Sequence, residues 1–520
     1  MKSIFAIFSL IVFSCASAHA EDIWFDLNPQ DFPVSPSDTH YATADAACRK
    51  AYSDDASTFG GNGATVLSYK HPVLVPNQPS LIAYECDTSV VIGGSESGVP
   101  NLIYLEGDTC PNGEVLNLDA GQCEALDAFQ ARRQLGNPNN QPNNDPNDCE
   151  GNPINGAIGN KFQSDVDFTD ADGELRFAHF YNGYDGLWRH TYGSSLAVST
   201  ASLSLTFEDG RVSLFTLSNG IATAEPTELG SLSKVLGSWV YTSPTNEQMT
   251  FDFNGRLSKW KMANGQVQTI SYGFDSNFNP ITTVTDSRGH TLSFSEDASH
   301  QPLSLTASGV TVTYNYSNAE LTSITRAMTG KTTTRSYVYE DTRNSTWLTG
   351  IIDERGVRYA TWHYDDQGRA TSSEHAGGAE KVTLVYNTDG STVVTNALGN
   401  AVTYQYQLVN GAMRMSAVNG SPAVGCPASN SSYTYESAHG QIATHTDALG
   451  HITAFTYDAQ GRVITEVDAQ GTDQERTTAT TYNGATFLPA TVTTPDRTIT
   501  YSYDAQGHLL STTAHANNQE

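Results

Sequence analysis

From residue 151 onward the chain reads as short runs in which apolar or β-branched residues alternate with polar ones. The runs are broken by four-residue stretches that begin with Asp or Asn and end with Gly. Alternation with period two over about six residues is the pattern of a half-buried β-strand. The interrupting stretches are Asp252-Phe-Asn-Gly255, Asp286-Ser-Arg-Gly289, Asp353-Glu-Arg-Gly356, Asp365-Asp-Gln-Gly368, Asn387-Thr-Asp-Gly390, Asn396-Ala-Leu-Gly399, Asp447-Ala-Leu-Gly450, Asp458-Ala-Gln-Gly461, Asp468-Ala-Gln-Gly471 and Asp504-Ala-Gln-Gly507. In such a turn the first side chain accepts hydrogen bonds from backbone amides, and Gly at the fourth position takes the left-handed conformation. The closest copies lie about ten residues apart, which is one strand plus one turn, so the pattern predicts an antiparallel meander, hairpin after hairpin. After Gly461, strict alternation puts Val463, Thr465 and Val467 on one face and Arg462, Ile464 and Glu466 on the other, while Phe455 and Tyr457 share a face of the preceding leg.

The N-terminal third has a different texture. Residues 1–20 combine a basic start, an apolar stretch over residues 4–13 and an Ala18-His19-Ala20 cleavage pattern, which predicts a signal peptide and an exported protein, whether secreted, periplasmic or on the cell surface. Cys15 raises a lipoprotein alternative, but Phe13 is bulky where a lipidation box wants a smaller residue. Residues 21–131 read as a small cysteine-containing β domain, with strand-like runs at 80–85 and 102–105. Residues 132–148, rich in Asn and Pro, read as a linker. The remainder divides into a β domain over 149–250 and the repeat sheet over 251–520. The fold class expected is therefore all-β.

Length and composition agree. A chain of 520 residues exceeds one ordinary core, and Gly 43 and Tyr 25 with only 16% charged residues suit pleated surfaces and tight turns. A net charge of -29 opposes nucleic acid and anionic lipid, and no run after the signal is long and apolar enough for a membrane helix. Beyond the signal stand Cys48, Cys86, Cys110, Cys123, Cys149 and Cys426, an even set suited to disulfides in an oxidising compartment. Cys110 with Cys123 looks like the closure of a small loop, and Cys48 with Cys86 is the next pairing. Fifteen connectivities are open to six cysteines.

The units Tyr364-Asp-Asp-Gln-Gly-Arg369, Tyr457-Asp-Ala-Gln-Gly-Arg462, Asp468-Ala-Gln-Gly471 and Tyr503-Asp-Ala-Gln-Gly507 resemble the tyrosine-aspartate repeat of the rearrangement-hotspot (RHS) family, with Tyr435-Glu-Ser-Ala-His-Gly440 a drifted copy. The residues carrying the pattern are Tyr364, Asp365, Gly368, Tyr457, Asp458, Gly461, Asp468, Gly471, Tyr503, Asp504 and Gly507. Cys149-Glu-Gly-Asn-Pro-Ile-Asn-Gly-Ala-Ile-Gly-Asn-Lys161, with Phe180-Tyr-Asn-Gly183 and Trp188-Arg-His-Thr-Tyr192, is similar to the domain that precedes these repeats in bacterial proteins of the family. The resemblance spans roughly residues 149–515. It implies a β-strip that curls into a whole or partial shell, as in the carrier part of polymorphic toxins and in the extracellular teneurins. No core-ending motif or effector sequence follows Gly507, so the expectation is a scaffold related to toxin carriers without the payload.

Candidate chemistry is sparse. A catalytic carboxylate pair must converge on one small volume, whereas Asp458 and Asp468 fall in successive turns, each read as capping its own loop. Asp165, Asp167, Asp170 and Asp172 suggest calcium, but their spacing misses the loop rule and a solvated turn explains them better. Gly94-Ser-Glu-Ser-Gly98 lacks the central Ser of a nucleophile elbow and reads as a loop. His179 and His190 sit inside the motif that precedes the repeats. Trp260, Trp347 and Trp362 on a flat sheet could stack on sugar rings or pack within the sheet. The expectation is a protein that is not an enzyme, with no catalytic, cofactor or metal residues assigned. Its partner is unknown, with cell-surface carbohydrate or protein, through adhesion, as the alternative reading.

Overall fold

The computed structural model describes short segments between residues 24 and 124, and residues 130–517 apart from 138–148, 200, 276–279, 298–299, 318–319, 421–429, 485–486 and 505–506. The signal sequence lies outside the described residues. The chain forms two compact units, residues 1–126 and 127–520.

The first unit contains a four-stranded antiparallel sheet, in the order Trp24–Leu27, Leu102–Glu106, Ile82–Glu85 and Val73–Val75. A three-stranded sheet joins Thr65–Tyr69, Thr88–Ile92 and Ser95–Val99, and a hairpin pairs Val115–Asn117 with Gln122–Glu124. The segment 94–98, read above as a loop, is thus mostly strand: Ser95 pairs with Ile92 and Val99 with Thr88. Alternating serines on an edge strand carry little hydrophobic signal, which is why the pattern missed it. Cys48 and Cys123 each take part in a disulfide; the expected partners, Cys86 for Cys48 and Cys110 for Cys123, lie outside the described residues.

In the second unit, 26 strands form one sheet in strict sequence order, from Ser231–Val235 to Leu509–Ala516, every pair antiparallel. The sheet is not closed, because the first and last strands do not pair. It begins at Ser231, upstream of the residue 251 boundary drawn from the repeat pattern. Pairing proceeds by local hairpins alone, so each strand needs only its neighbours in sequence to find its register.

The two faces differ in chemistry. Val284 opposes Leu292, Phe294 opposes Leu305 and then Val312, Tyr314 opposes Ile324, and Tyr337 opposes Ile351 and then Ala360. All of these are buried in one continuous core. The opposite face carries hydroxyl pairs across neighbouring strands: Thr283 with Ser293 at 3.0 Å, Ser295 with Ser304 at 2.7 Å, Thr325 with Thr334 at 3.2 Å and Thr481 with Thr491 at 2.6 Å. Apolar-in, Thr/Ser-out alternation is what fixes the register, since a one-residue slip would reverse both faces.

One element of the expected alternation is corrected. Thr456 pairs with Thr465 but Tyr457 pairs with Val463, so Ile464 is an extra residue and Val463 does not share a face with Thr465 and Val467. A register shift immediately before the repeat tyrosine recurs at Tyr316, Tyr364, Tyr435, Tyr482 and Tyr503. These bulges re-aim the strand end at each turn. Among the described residues no helix is long and apolar enough to cross a membrane.

Candidate functional site

The repeat turn is built around its aspartate. Asp458 Oδ1 accepts from the amides of Gln460 at 2.9 Å and Arg462 at 3.0 Å, and its Oδ2 accepts from Arg462 Nε at 2.8 Å. Burial acts to raise the Asp458 carboxyl, yet the hydrogen bonds and charge of Arg462 and the Gln460 amide hold it below its usual range. Asp365 with Arg369 and Asp252 with Arg256 repeat the arrangement. In three other turns a histidine replaces the arginine: His290 beside Asp286, His451 beside Asp447 and His508 beside Asp504, at 3.0, 3.1 and 2.7 Å. Gly368, Gly461, Gly471 and Gly507 all have positive φ. At Gly461 the demand is also spatial, because a Cβ would lie 2.4 Å from Leu229 Cδ2.

Asp468 departs from this scheme. It ends the strand Val463–Asp468 opposite Arg476, and the chain turns over the longer segment 469–475, with Ala469 and Gly471 both at positive φ. The two Asp-Ala-Gln-Gly copies are therefore structurally different, the second being a wider loop in which Glu475 accepts from the Gly471 amide at 2.7 Å. Sequence identity hid this because the residues that widen the loop follow the motif.

Each turn is coupled to the next hairpin. Tyr364 donates to the Leu348 carbonyl at 2.7 Å, Tyr386 to Ala370 at 2.6 Å, Tyr457 to Ile442 at 2.7 Å, Tyr482 to Val463 at 2.9 Å and Tyr503 to Pro489 at 2.9 Å. The turn arginine lies over the ring of the following tyrosine, Arg369 over Tyr386 at 4.3 Å and Arg462 over Tyr482 at 4.4 Å. Aspartate orients arginine, arginine holds tyrosine, and tyrosine ties down the previous strand. Tyr, Asp, Gly and Arg recur together because they form one mechanical joint.

The apolar face is covered by the segment that precedes the sheet. Gly159 O accepts from the Ala370 amide at 2.9 Å, Gly156 O from Thr392 Oγ1 at 2.8 Å and Asn152 O from Trp362 Nε1 at 3.0 Å. The contact is backbone-close: a Cβ at Gly159 would meet the Arg369 Cβ at 2.3 Å. Lys161 is fully buried, with its ammonium 4.3 Å from the Trp362 ring centroid. Further along, Tyr181 donates to Thr346 O at 2.7 Å and Trp188 Nε1 to Tyr339 Oη at 2.9 Å. The stretch at 133–136, within the expected linker, is also seated here: Gln134 Nε2 donates to Met413 O at 2.9 Å and the Gly136 amide to Asn182 Oδ1 at 2.9 Å.

The candidate acidic cluster is dispersed. Asp167 is buried and accepts from Tyr314 at 2.6 Å, contacts His179 Nδ1 at 2.6 Å and pairs with Arg326 at 3.2 Å, while Asp165 pairs with Arg335 at 2.7 Å. Burial, the largest influence on His179, lowers its pKa, but the Asp167 charge and hydrogen bond carry the net shift upward. His179 Nε2 meets Tyr337 Oη at 2.9 Å, which carries the network into the repeat sheet. Asp172 pairs with Arg288 at 2.5 Å. Asp170 instead joins Asp286 and His290, a grouping invisible to a reading that looked for neighbours in sequence.

The tryptophans considered as sugar platforms are core residues. Trp362 is 1% exposed and Trp347 9%, stacked on Tyr364 at 5.3 Å, and Trp260 packs against the same core beside Tyr192 at 6.4 Å. Burial closes Trp347 and Trp362 to an external sugar, while Trp260 is partly buried. The cavities are correspondingly poor: one of about 10 Å³ lies between Arg133, Arg211, Glu225 and Arg414, and an open depression of about 330 Å³ lies between Asp468, Arg476 and Arg497.

Residues 437–473 match the family model described as RHS Repeat, a span containing the Asp447 and Asp458 turns. Residues 437–473 thus carry an RHS repeat. Among curated proteins none matches. Two solved structures are similar at low scores: TcdB2-TccC3 in complex with Cdc42 (13% identity, TM-score 0.32, 66% of this chain and 20% of that one) and TcdB2-TccC3 without its hypervariable C-terminal region (11%, 0.34, 86% and 26%). A porin-like protein from Bacteroides uniformis ATCC 8492 gives 10% identity and a TM-score of 0.14 over 55% of this chain and 95% of that one. The chain thus spans about a quarter or less of the TcdB2-TccC3 chains.

Along the RHS sheet the cover runs out. The register carries the apolar face from Leu384 and Val394 through Tyr404 and Val418 to Tyr433, His445 and Thr453, and on to Phe455, Val492 and Ile499. Yet after Ile442 the one buried residue among those described is Gly461. The last seven strands keep the tyrosine bonds of Tyr457, Tyr482 and Tyr503, while their side chains are almost all half-buried or exposed.

Proposed function

We propose that this is an exported, non-catalytic RHS scaffold related to the carrier part of polymorphic toxins. The observation that carries the reading is the contrast along one continuous sheet. Its front half is covered by residues 149–192, and its last seven strands keep the tyrosine-to-carbonyl bonds of Tyr457, Tyr482 and Tyr503 with a half-exposed apolar face. A sheet maintained by repeat joints without a core of its own suits a surface that holds other material, and the charged networks described above are internally paired, which suits support better than turnover. Export by residues 1–20 belongs to the same reading, as do disulfides joining Cys48, Cys86, Cys110 and Cys123 in an oxidising compartment.

The test is hydrogen exchange on protein recovered natively from the producing cells' exterior, compared with the same chain purified alone. Amides in 452–516 should be slower in the native material. Equal exchange throughout would remove the scaffold reading. Adhesion through carbohydrate is the second possibility, and with Trp347 and Trp362 buried it would use the Tyr- and Thr-bearing surface; saturable glycan-array binding would favour it.

A further inference from the structure

Asp286 and His290 form one of three turns in which a histidine at the fifth position faces the aspartate at the first. At Asp447/His451 and Asp504/His508 the same aspartate–histidine contact recurs, at 3.1 and 2.7 Å. At Asp286/His290 the hairpin tip 170–174 brings in Asp170, across 116 residues of chain, so that one oxygen of each carboxylate and one imidazole nitrogen lie within 4.8 Å of one another. Among the described residues this is the one such group. The carboxylates and the hairpin tip are held in place by other bonds. Asp170 Oδ1 accepts from the Leu175 amide at 3.0 Å, Asp286 Oδ1 accepts from the His290 amide at 2.7 Å, and Arg288 clamps the tip through Asp172 at 2.5 Å and Glu174 at 2.8 Å.

A second observation points to a ligand. The Asp170 side chain is only 9% exposed, and its Oδ2 is buried without a hydrogen-bond partner, 3.9 Å from His290 Nδ1. A carboxylate oxygen withdrawn from water and left unbonded is costly unless a cation or donor completes it. His290 is half exposed, so the group is reachable from solvent. We propose that Asp170, Asp286 and His290 bind a divalent first-row transition ion, with zinc as the fitting probe. One imidazole and two carboxylates suit such an ion better than calcium or magnesium, which favour all-oxygen sets. Metal–ligand bonds of about 2.1 Å bring tetrahedral ligand atoms to about 3.4 Å apart, so Asp170 and His290 need to close by roughly half an ångström. His290 gives up its Nδ1 proton on binding, and solvent takes the remaining position. The ion would clip the cover hairpin to the sheet.

The experiment is zinc titration of the chelator-stripped full chain by calorimetry, with Asp170→Asn, His290→Gln and the control His451→Gln, each first checked for an unchanged circular dichroism spectrum. The expected result is a zinc site that weakens about tenfold or more in the first two variants and is unaltered in the third. Zinc-edge absorption spectroscopy should show one imidazole, lost in His290→Gln. Absence of zinc binding, equal affinity in all variants, or calcium binding insensitive to His290→Gln would each overturn the assignment.

Discussion

The joint between successive hairpins is open to a graded test, because the same tyrosine bond occurs in a sealed and an unsealed environment. Tyr364 is 5% exposed, donates to Leu348 O at 2.7 Å and stacks on Trp347. Tyr503 makes the equivalent bond to Pro489 O at 2.9 Å in the uncovered part of the sheet. Replacing either by Phe removes one hydroxyl and little volume. At Tyr364 water cannot take its place, so the loss is the bond and the desolvated carbonyl left behind, about 2 kcal/mol. At Tyr503 water reaches the carbonyl, and the cost should be under about 0.5 kcal/mol. Urea unfolding followed by tryptophan fluorescence, to which Trp347 contributes directly, would read the difference. With a slope of about 3 kcal/mol per molar, Tyr364→Phe should lower the midpoint by roughly 0.7 M and Tyr503→Phe by less than about 0.2 M. Equal shifts, or no shift at Tyr364, would refute the claim that the cover segment makes the front joints energetically distinct.

Other outcomes follow from the same geometry. Trp362→Ala, which removes a buried ring, its bond to Asn152 O and the platform under Lys161, should destabilise the second unit by about 3–5 kcal/mol in the same unfolding assay. Gly461→Ala combines positive φ with a 2.4 Å approach to Leu229 and should lower the melting temperature clearly more than Gly450→Ala, whose Cβ would meet nothing within 4 Å. Burial acts to raise the Glu296 carboxyl, but His190 at 2.5 Å and His300 at 3.3 Å bring it down from 4.5 to about 2. Because the folded value is the lower one, this stabilisation is present above about pH 4.5 and is lost as pH falls toward 2, a difference on the order of 3 kcal/mol. Glu296→Gln should flatten the acid limb of a stability–pH profile across that window.

The alternation of side chains and the Asp-to-Gly turns are local properties, encoded within about ten residues, and they determined the all-β class, the meander and the left-handed glycines at Gly368 and Gly461. Local encoding also explains where the reading slipped. Ile464 breaks the alternation because the bulge depends on how Tyr457 reaches the preceding strand, and Asp468 forms a different loop because of residues beyond its motif. What only the tertiary structure decided involves partners far apart in the chain: His179 with Asp167 and Tyr337, the tryptophans enclosed by residues 149–192, and Asp170 meeting Asp286 and His290. The end of the buried core near Ile442 is also of this kind, since strands before and after it carry the same pattern. Periodicity specifies which face of a strand is apolar, and coverage of that face depends on how far a separate segment can reach.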